Sequence, residues 1–175
     1  MICKKIKTPI GNLYIFAAST GLKRIDFESS KYLKNQPDIL KNGSPEVKTT
    51  NDIKQAESIC LKTEKQLQEY FEGSRKRFDI PLDPDGSPFQ KLVWDFLYTI
   101  PYGKLVSYKT VAKGINKPNA CRAVGNANGK NPISIIIPCH RVISADKSFG
   151  GYSSGLKIKK YLINLEKALP VDNLW

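Results

Sequence analysis

The chain has 175 residues, of which 41% are hydrophobic and 25% are charged, which is ordinary for a globular protein and argues against disorder. Its net charge of +12 makes nucleic acid the leading predicted partner and an anionic membrane surface a weaker one, although solubility alone would also explain it. No apolar run approaches the roughly 20 residues that span a bilayer, and the N-terminus lacks a signal peptide's apolar region. We therefore expect no membrane partner and a cytoplasmic protein, or a nuclear one in a eukaryote.

Three short strands are predicted at the start of the chain, separated by turn residues, as in a β-meander. They cover residues 2–7, 12–18 and 22–27. Residues 28–50 are polar and contain helix-breaking residues, which predicts mostly loop. Asn51 is the predicted cap of a helix from Asp52 to about Glu72, and the apolar face of this helix would cover the sheet.

A tract rich in Pro, Asp and Gly, Pro81–Pro88, separates two halves of unequal charge. Residues 1–86 carry 15 Lys and Arg against 12 Asp and Glu, whereas residues 87–175 carry 13 against 4. We therefore predict a domain boundary near residue 86, with domains over 1–86 and 87–175, the second being the basic one.

The second half is predicted to be mostly helical. Ser87 followed by Pro88 is typical of a helix start, and this helix would end near Ile100. Two short helices separated by Asn116-Lys117 favour a helix-turn-helix, and a final helix follows. These three helices are predicted over residues 107–115, 118–128 and 154–169.

The second helix of this predicted helix-turn-helix places Arg122 among small residues. They are Ala120, Ala123, Gly125 and Ala127. Small side chains allow a helix to approach another backbone closely, as DNA binding requires. They would equally allow tight packing in a protein core, and the composition leaves both interpretations open.

The most informative stretch is Ile137-Pro138-Cys139-His140-Arg141-Val142, because a cysteine lies beside the only histidine of the chain. The apolar residues 133–137 before it predict a buried, strand-like segment that ends at Cys139. The four cysteines lack the C-x-x-C spacing of zinc sites, so we expect reduced thiols and no metal.

Three interpretations of Cys139 follow from the residues alone. A buried structural cysteine is the most frequent role of a lone cysteine, a zinc deaminase is excluded because the second cysteine and the His-x-Glu of its pattern are missing, and a cysteine hydrolase is possible. A helix-turn-helix in the same domain suggests chemistry on DNA. A nucleophilic thiol needs a nearby base or positive charge. His140 would reach the sulfur through a water or a turn of the chain, and Glu166 is a candidate for orienting the imidazole.

Together these residues resemble the O6-alkylguanine-DNA alkyltransferases. The hexapeptide around Cys139 matches the active-site motif of that family, and further matches follow the family's order over residues 87–169. They are Phe89-Gln90, Pro101-Tyr102-Gly103, Ser107-Tyr108, Arg122-Ala123-Val124-Gly125, Asn131-Pro132, Gly151-Tyr152-Ser153 and Glu166. The first half resembles only the general plan of the family.

The resemblance implies an α+β fold, with an N-terminal small α/β domain, a ribonuclease H-like sheet with a helix. The C-terminal domain would be mostly helical and winged-helix-like, with the helix-turn-helix. The implied activity is stoichiometric, irreversible transfer of the alkyl group from O6-alkylguanine, and from O4-methylthymine, in double-stranded DNA to Cys139. A monomer without a cofactor is implied, and the absence of any histidine before His140 argues against the zinc of some relatives. A non-catalytic helix-turn-helix protein that binds DNA or recognises lesions is the alternative.

The resemblance also implies roles for individual residues. Those implied in catalysis are Cys139 as nucleophile, His140 as base, Glu166 as its orienting acid, Asn131 as a brace of the turn and Tyr108 as a donor to the guanine ring. Those implied in the base pocket are Tyr108, Val142, Tyr152, Ser153 and Ser154. Those implied in DNA binding are Arg122, Ala123, Gly125 and Asn128, with Arg122 filling the space that the flipped base leaves.

Overall fold

The computed structural model describes residues 1–35, 49–146 and 148–170. It divides into two compact units, Met1–Asp85 and a second from Gly86 onward. Each unit combines helices with a small sheet, which confirms the α+β class. Among the described residues, no helix is both long enough and apolar enough to cross a membrane.

An antiparallel sheet of three strands opens the first unit, as predicted. Its strands are β1 (Ile2–Thr8), β2 (Gly11–Ala18) and β3 (Gly21–Phe27), hydrogen-bonded in that order. Opposed apolar residues set the register, with Ile6 facing Leu13 and Ile15 facing Ile25. The loop prediction was wrong in part, because Lys31–Asn35 forms a short helix, α1. The rest of that predicted loop, residues 36–48, lies outside the described residues.

Helix α2 (Thr50–Phe71) packs its apolar face on this sheet. Its N-cap is Thr49, two residues before the predicted cap, and the Thr49 hydroxyl accepts the Asp52 amide at 3.1 Å. The buried residues of the helix are Ala56, Ile59, Cys60, Thr63, Gln66, Leu67 and Tyr70. They recur at helical spacing, so burial of one face stabilises the helix in this position.

The second unit begins with α3 (Pro88–Thr99), where Ser87 forms a capping box with Gln90, which confirms the predicted helix start. The elements that follow are β4 (Lys104–Ser107), α4 (Tyr108–Gly114), α5 (Cys121–Gly129), a 3₁₀ turn (Cys139–Arg141), β5 (Val142–Ile143), α6 (Leu156–Leu165) and β6 (Leu169–Pro170). The predicted pair of short helices is confirmed as α4 and α5, and the last helix is shorter at both ends than predicted.

A small parallel sheet, in the order β5-β4-β6, lies beside these helices. The sequence pattern did not predict it, because strands of two to four residues are too short to show a period. This sheet joins the start of α4 to the segment that follows the cysteine. Val106 of β4 pairs with Val142 of β5, so the turn that carries Cys139 is attached to the helix-turn-helix.

Candidate active site

The segment before Cys139 is a tight turn, and the predicted strand-like segment was wrong. Ile135 has a φ of 76°, and the Ile137 amide donates to the Ile133 carbonyl at 3.0 Å. The Asn131 side chain explains this conformation, because its Oδ1 accepts the Ile133 amide at 3.0 Å and its Nδ2 donates to the Ile137 carbonyl at 2.7 Å. Buried backbone groups are thus satisfied locally rather than by a neighbouring strand.

Cys139 begins the 3₁₀ turn and is 2% exposed. Its amide donates to the Ile137 carbonyl at 2.8 Å, and the Arg141 amide donates to Pro138 at 2.9 Å. Burial raises the pKa of the Cys139 thiol, and the Asn131 side chain and the charge of Lys159 oppose this only in part. At neutral pH the resting sulfur is therefore a protonated thiol that needs a base.

The structure brings the His140 and Glu166 side chains together. His140 Nε2 lies 2.8 Å from Glu166 Oε1, and both side chains are completely buried. Burial would raise the pKa of Glu166, but the hydrogen bonds and charges of His140 and Arg141 outweigh it and hold that pKa well below its usual range. Glu166 is thus a carboxylate that accepts a hydrogen bond from the Nε2–H group of the imidazole.

The imidazole is neutral at neutral pH, because burial lowers the pKa of His140 in spite of the neighbouring Glu166. With the proton on Nε2, the lone pair is on Nδ1. In the described part of the chain this buried Nδ1 has no hydrogen-bond partner. His140 is therefore a base whose accepting atom is free to take a proton.

Arg141 is a second partner of Glu166 that the sequence pattern did not reveal. Its Nε and Nη2 donate to the two carboxylate oxygens of Glu166, each at 2.9 Å, and Nη1 donates to the Ile100 carbonyl. The Gly103 amide donates to the same carboxylate at 3.1 Å. Because a bidentate pair fixes the guanidinium and carboxylate planes relative to each other, Arg141 holds Glu166 in position for His140.

The Pro101-Tyr102-Gly103 tract contacts the C-terminal end of α6, beside Glu166. The Tyr102 hydroxyl donates to the Leu165 carbonyl at 3.2 Å. Gly103 has a φ of 75°, and a Cβ there would lie 3.2 Å from the Glu166 carbonyl oxygen. Glycine is therefore favoured by both the backbone conformation and the close approach of the end of α6.

A cavity of about 330 Å³ opens beside the 3₁₀ turn that carries Cys139. It is lined by Tyr108, Gly125, Asn128, Gly129, Gly151, Tyr152 and Ser153. Three of the residues predicted for a base pocket, Tyr108, Tyr152 and Ser153, thus lie together, whereas Val142 and Ser154 are not among the lining residues. Gly125 and Asn128, which the resemblance placed with DNA binding, also line this cavity.

Tyr108 is the first residue of α4, at the point where β4 ends. Burial, followed by the nearby Cys139, raises the pKa of its hydroxyl, so Tyr108 is a hydrogen-bond donor at neutral pH. Gly150 packs against it, since a Cβ on Gly150 would lie 3.3 Å from the Tyr108 hydroxyl.

The predicted DNA-binding residues Arg122 and Ala123 lie exposed in the first turn of α5. Exposed lysines accompany them on the second unit. They include Lys109, Lys113, Lys117, Lys130, Lys157 and Lys160. An exposed arginine, small neighbours and a basic surface are the features of a helix that approaches a polyanion.

Lys159 is a buried cation that the sequence analysis missed. It is fully buried, and its Nζ donates to the Val142 carbonyl at 2.7 Å and to the Phe149 carbonyl. Burial lowers its pKa to about 8. Its neighbours Lys157 and Lys160 are exposed, so composition offers no signal that distinguishes it from a solvated lysine.

The described ranges contain no group of three or more His, Cys, Asp and Glu residues that could hold a metal ion. A buried thiol, a neutral imidazole and an oriented carboxylate are the parts of a nucleophilic cysteine site.

Comparison with known proteins covers both units. The family model described as the 6-O-methylguanine DNA methyltransferase DNA-binding domain matches residues 88–168, and the one described as the ribonuclease-like domain matches residues 1–84. A methylated-DNA–protein-cysteine methyltransferase of Methanosarcina barkeri is 43% identical over 163 residues, 93% of this chain and 94% of the relative. A constitutive one of Bacillus subtilis is 39% identical, with 92% of each chain covered.

Solved structures agree with these matches. The crystal structure of Mycobacterium tuberculosis OGT in complex with DNA has a TM-score of 0.77 and 38% identity, and the match covers 95% of this chain and 93% of that one. The two units therefore have the fold of a two-domain protein that has been crystallised with DNA.

Proposed function

Since the chain belongs to the 6-O-methylguanine DNA methyltransferase family and repairs alkylated DNA by direct alkyl transfer to a protein cysteine, we propose that Cys139 is the cysteine that receives the alkyl group. The observation that carries this assignment is the buried pair of His140 and Glu166 next to Cys139. Among the four cysteines, Cys139 alone adjoins the histidine.

The transfer begins with the Cys139 proton, which passes to His140 Nδ1, directly or through a water. Glu166 stabilises the resulting imidazolium, and Arg141 keeps the carboxylate oriented. The sulfur attacks the alkyl carbon, the bond from that carbon to guanine O6 breaks, and its electron pair stays on the base. Tyr108 donates a hydrogen bond to the guanine ring and thereby stabilises the leaving base.

The product is a thioether on Cys139, and because thioethers do not hydrolyse, the thiol is not regenerated by water. Each molecule therefore acts once. The target atom lies inside the duplex, so the base must be flipped out of the stack. The cavity beside Cys139 accepts it, while Arg122 of α5 occupies the vacated space. We extend the proposal to a monomer that acts on double-stranded DNA with O6-alkylguanine, and on O4-methylthymine.

Intact mass spectrometry tests this proposal. After incubation with excess duplex containing one O6-methylguanine, we expect the protein to gain the mass of one methyl group and no more, and peptide mapping to place it on Cys139. An unchanged mass in a protein that still binds the duplex would instead favour the alternative, a lesion-binding protein without transfer. A catalytic amount of protein that demethylates excess DNA would favour a hydrolase.

The rate of transfer should depend on pH through His140. Because the pKa of His140 lies below its ordinary value of about 6.5, the base is neutral from about pH 6.5 upward. We expect a nearly constant rate from there to about pH 7.5, below the pKa of about 8 at which Lys159 loses its charge. In His140→Gln the base is lost while the pKa of the thiol stays raised. Its rate should be far lower at pH 7 and rise about tenfold per pH unit as thiolate forms.

Single-turnover transfer rates at a series of pH values measure this difference. A profile of the same form in His140→Gln and the wild type would show that His140 does not act as the base.

A further inference from the structure

Lys159 is a buried cation that has no role in the steps of the transfer given so far. Its side chain is fully buried, and its Nζ donates to the carbonyl of Val142 at 2.7 Å and to the carbonyl of Phe149. Among the described residues, no carboxylate forms an ion pair with it. A buried charge without a counter-ion destabilises a protein, so stability does not explain its position.

The helix on which Lys159 lies explains where its charge is placed. Lys159 is in the first turn of α6, and Glu166 caps the end of this helix about two turns later. Residues at that spacing share one face of a helix, and both are buried. Glu166 contacts His140 and Arg141, and Lys159 donates to Val142, the next residue of the chain. Helix α6 thus brings a carboxylate and an ammonium group to consecutive residues beside Cys139.

Two backbone carbonyls hold the ammonium group in place. The Val142 amide donates to the Cys139 carbonyl, so the residue that accepts Lys159 is itself hydrogen-bonded to the cysteine. The Phe149 carbonyl binds Nζ from a separate segment of the chain. A charge that is fixed in advance needs no reorganisation when a nearby sulfur becomes negative, and it acts more strongly in a buried site than in water.

The titratable groups on which this charge acts belong to the cysteine turn. Burial raises the pKa of the Cys139 thiol, and Lys159 is one of the groups that oppose this effect. Burial lowers the pKa of His140, and Lys159 lowers it further. Of the carboxylates in the adjoining segments, Glu166 accepts hydrogen bonds from the turn and Asp146 is exposed. The thiolate of Cys139 is therefore the anion that Lys159 is placed to stabilise.

We propose that Lys159 is a positioning residue for the transfer, whose fixed ammonium group stabilises the thiolate form of Cys139. The inference rests on the proposed function, because it concerns the sulfur that receives the alkyl group. The same charge opposes the imidazolium of His140, so its effect on the sulfur is isolated in His140→Gln, where no imidazolium forms.

A lysine that only tied two segments together would have the opposite effect on the thiol. Loss of such a tie would loosen the turn and admit water, which favours the thiolate, whereas loss of a nearby positive charge disfavours it. The direction of the change in thiol reactivity therefore separates the two roles.

Iodoacetamide, a small electrophile that reacts with thiolates, tests the inference without DNA. Its reaction with Cys139 is followed by peptide mapping from about pH 7 to 9.5 in His140→Gln, alone and combined with Lys159→Met or Lys159→Arg. With Lys159 present, we expect the rate to rise about tenfold per pH unit and then to level off above about pH 8. Lys159 has a pKa of about 8, and above it the loss of its charge cancels the gain in thiolate.

The two replacements of Lys159 should remove this levelling for different reasons. Lys159→Met, an apolar side chain of similar length, should react about tenfold more slowly at about pH 7.5, the effect of one pKa unit on the thiol. Its rate should rise steadily to the end of the pH range. Lys159→Arg keeps its charge throughout, so it should recover most of the rate at about pH 7.5 and also rise steadily.

Lys157→Met, in the same His140→Gln background, is the matched control, because Lys157 lies exposed in the same turn of α6. Its rates should equal those of His140→Gln alone and level off at the same pH. Far-UV circular dichroism of each variant shows whether the helices are retained.

Either of two results would overturn the inference. One is a rate in His140→Gln that rises tenfold per unit through about pH 9 with Lys159 in place, a result that requires no variant of Lys159. The other is faster alkylation of Cys139 in Lys159→Met, as expected of a mere tie between segments. Failure of the proposed function is distinguishable from both, because the wild type would then gain no methyl group from O6-methylguanine, whatever its reactivity toward iodoacetamide.

Discussion

Replacement of Cys139 by alanine is expected to abolish methyl transfer while the protein still binds duplex DNA. The variant lacks the only thiol that adjoins the base His140, whereas the exposed Arg122 and the surrounding lysines are unchanged. Removal of a buried sulfur atom leaves a small cavity, which we expect to cost about 1 kcal/mol. Intact mass spectrometry should detect no added methyl group, and a gel-shift assay should detect a complex with the duplex.

Cys121→Ala is the control for this variant, because Cys121 is another free cysteine of the second unit and begins α5. It should accept one methyl group at Cys139 as the wild type does. Methylation of Cys139→Ala, at any residue, would disprove the assignment of the nucleophile. Loss of DNA binding in that variant would indicate that the thiol supports the interface itself.

Glu166→Gln is expected to combine a large loss of stability with a large loss of rate. Glu166 is completely buried, and its carboxylate accepts hydrogen bonds from His140, Arg141 and Gly103. An amide of the same shape leaves the Arg141 charge without its counter-ion, at a cost of about 3–5 kcal/mol. The imidazolium that forms during transfer also loses its carboxylate, so we expect the rate to fall by a factor of about 100 or more.

Urea unfolding followed by tryptophan fluorescence measures the stability effect, since Trp94 is buried in α3 of the second unit. Asp95→Asn is the control, because it makes the same carboxylate-to-amide change at an exposed residue of α3. Its free energy of unfolding should stay within about 0.5 kcal/mol of the wild type. A Glu166→Gln protein as stable as this control would contradict the role given to the buried carboxylate.

Local signals in the sequence predicted the elements that depend on neighbours in the chain. The alternating apolar residues of the first three strands and the Ser87-Pro88 helix start are confirmed, because residues a few positions apart determine strand faces and helix caps. The same signals failed at residues 133–137, where an apolar run typical of a strand forms a turn. The side chain of Asn131 satisfies the backbone there, and no apolar period encodes that contact.

The hexapeptide around Cys139 indicated a reactive thiol, because a thiol beside a lone histidine is a local pattern, and together with the further motifs of residues 87–169 it carried the family resemblance. Only the tertiary structure decided the charges and acceptors around it. Arg141 pairs with Glu166, which lies 25 residues away in the chain, and Lys159 donates to the carbonyl of Val142, 17 residues away. Asn128, placed with the DNA-binding residues by resemblance, also lines the cavity. Burial and pairing across the fold set protonation and hydrogen-bond capacity, and a linear pattern contains neither.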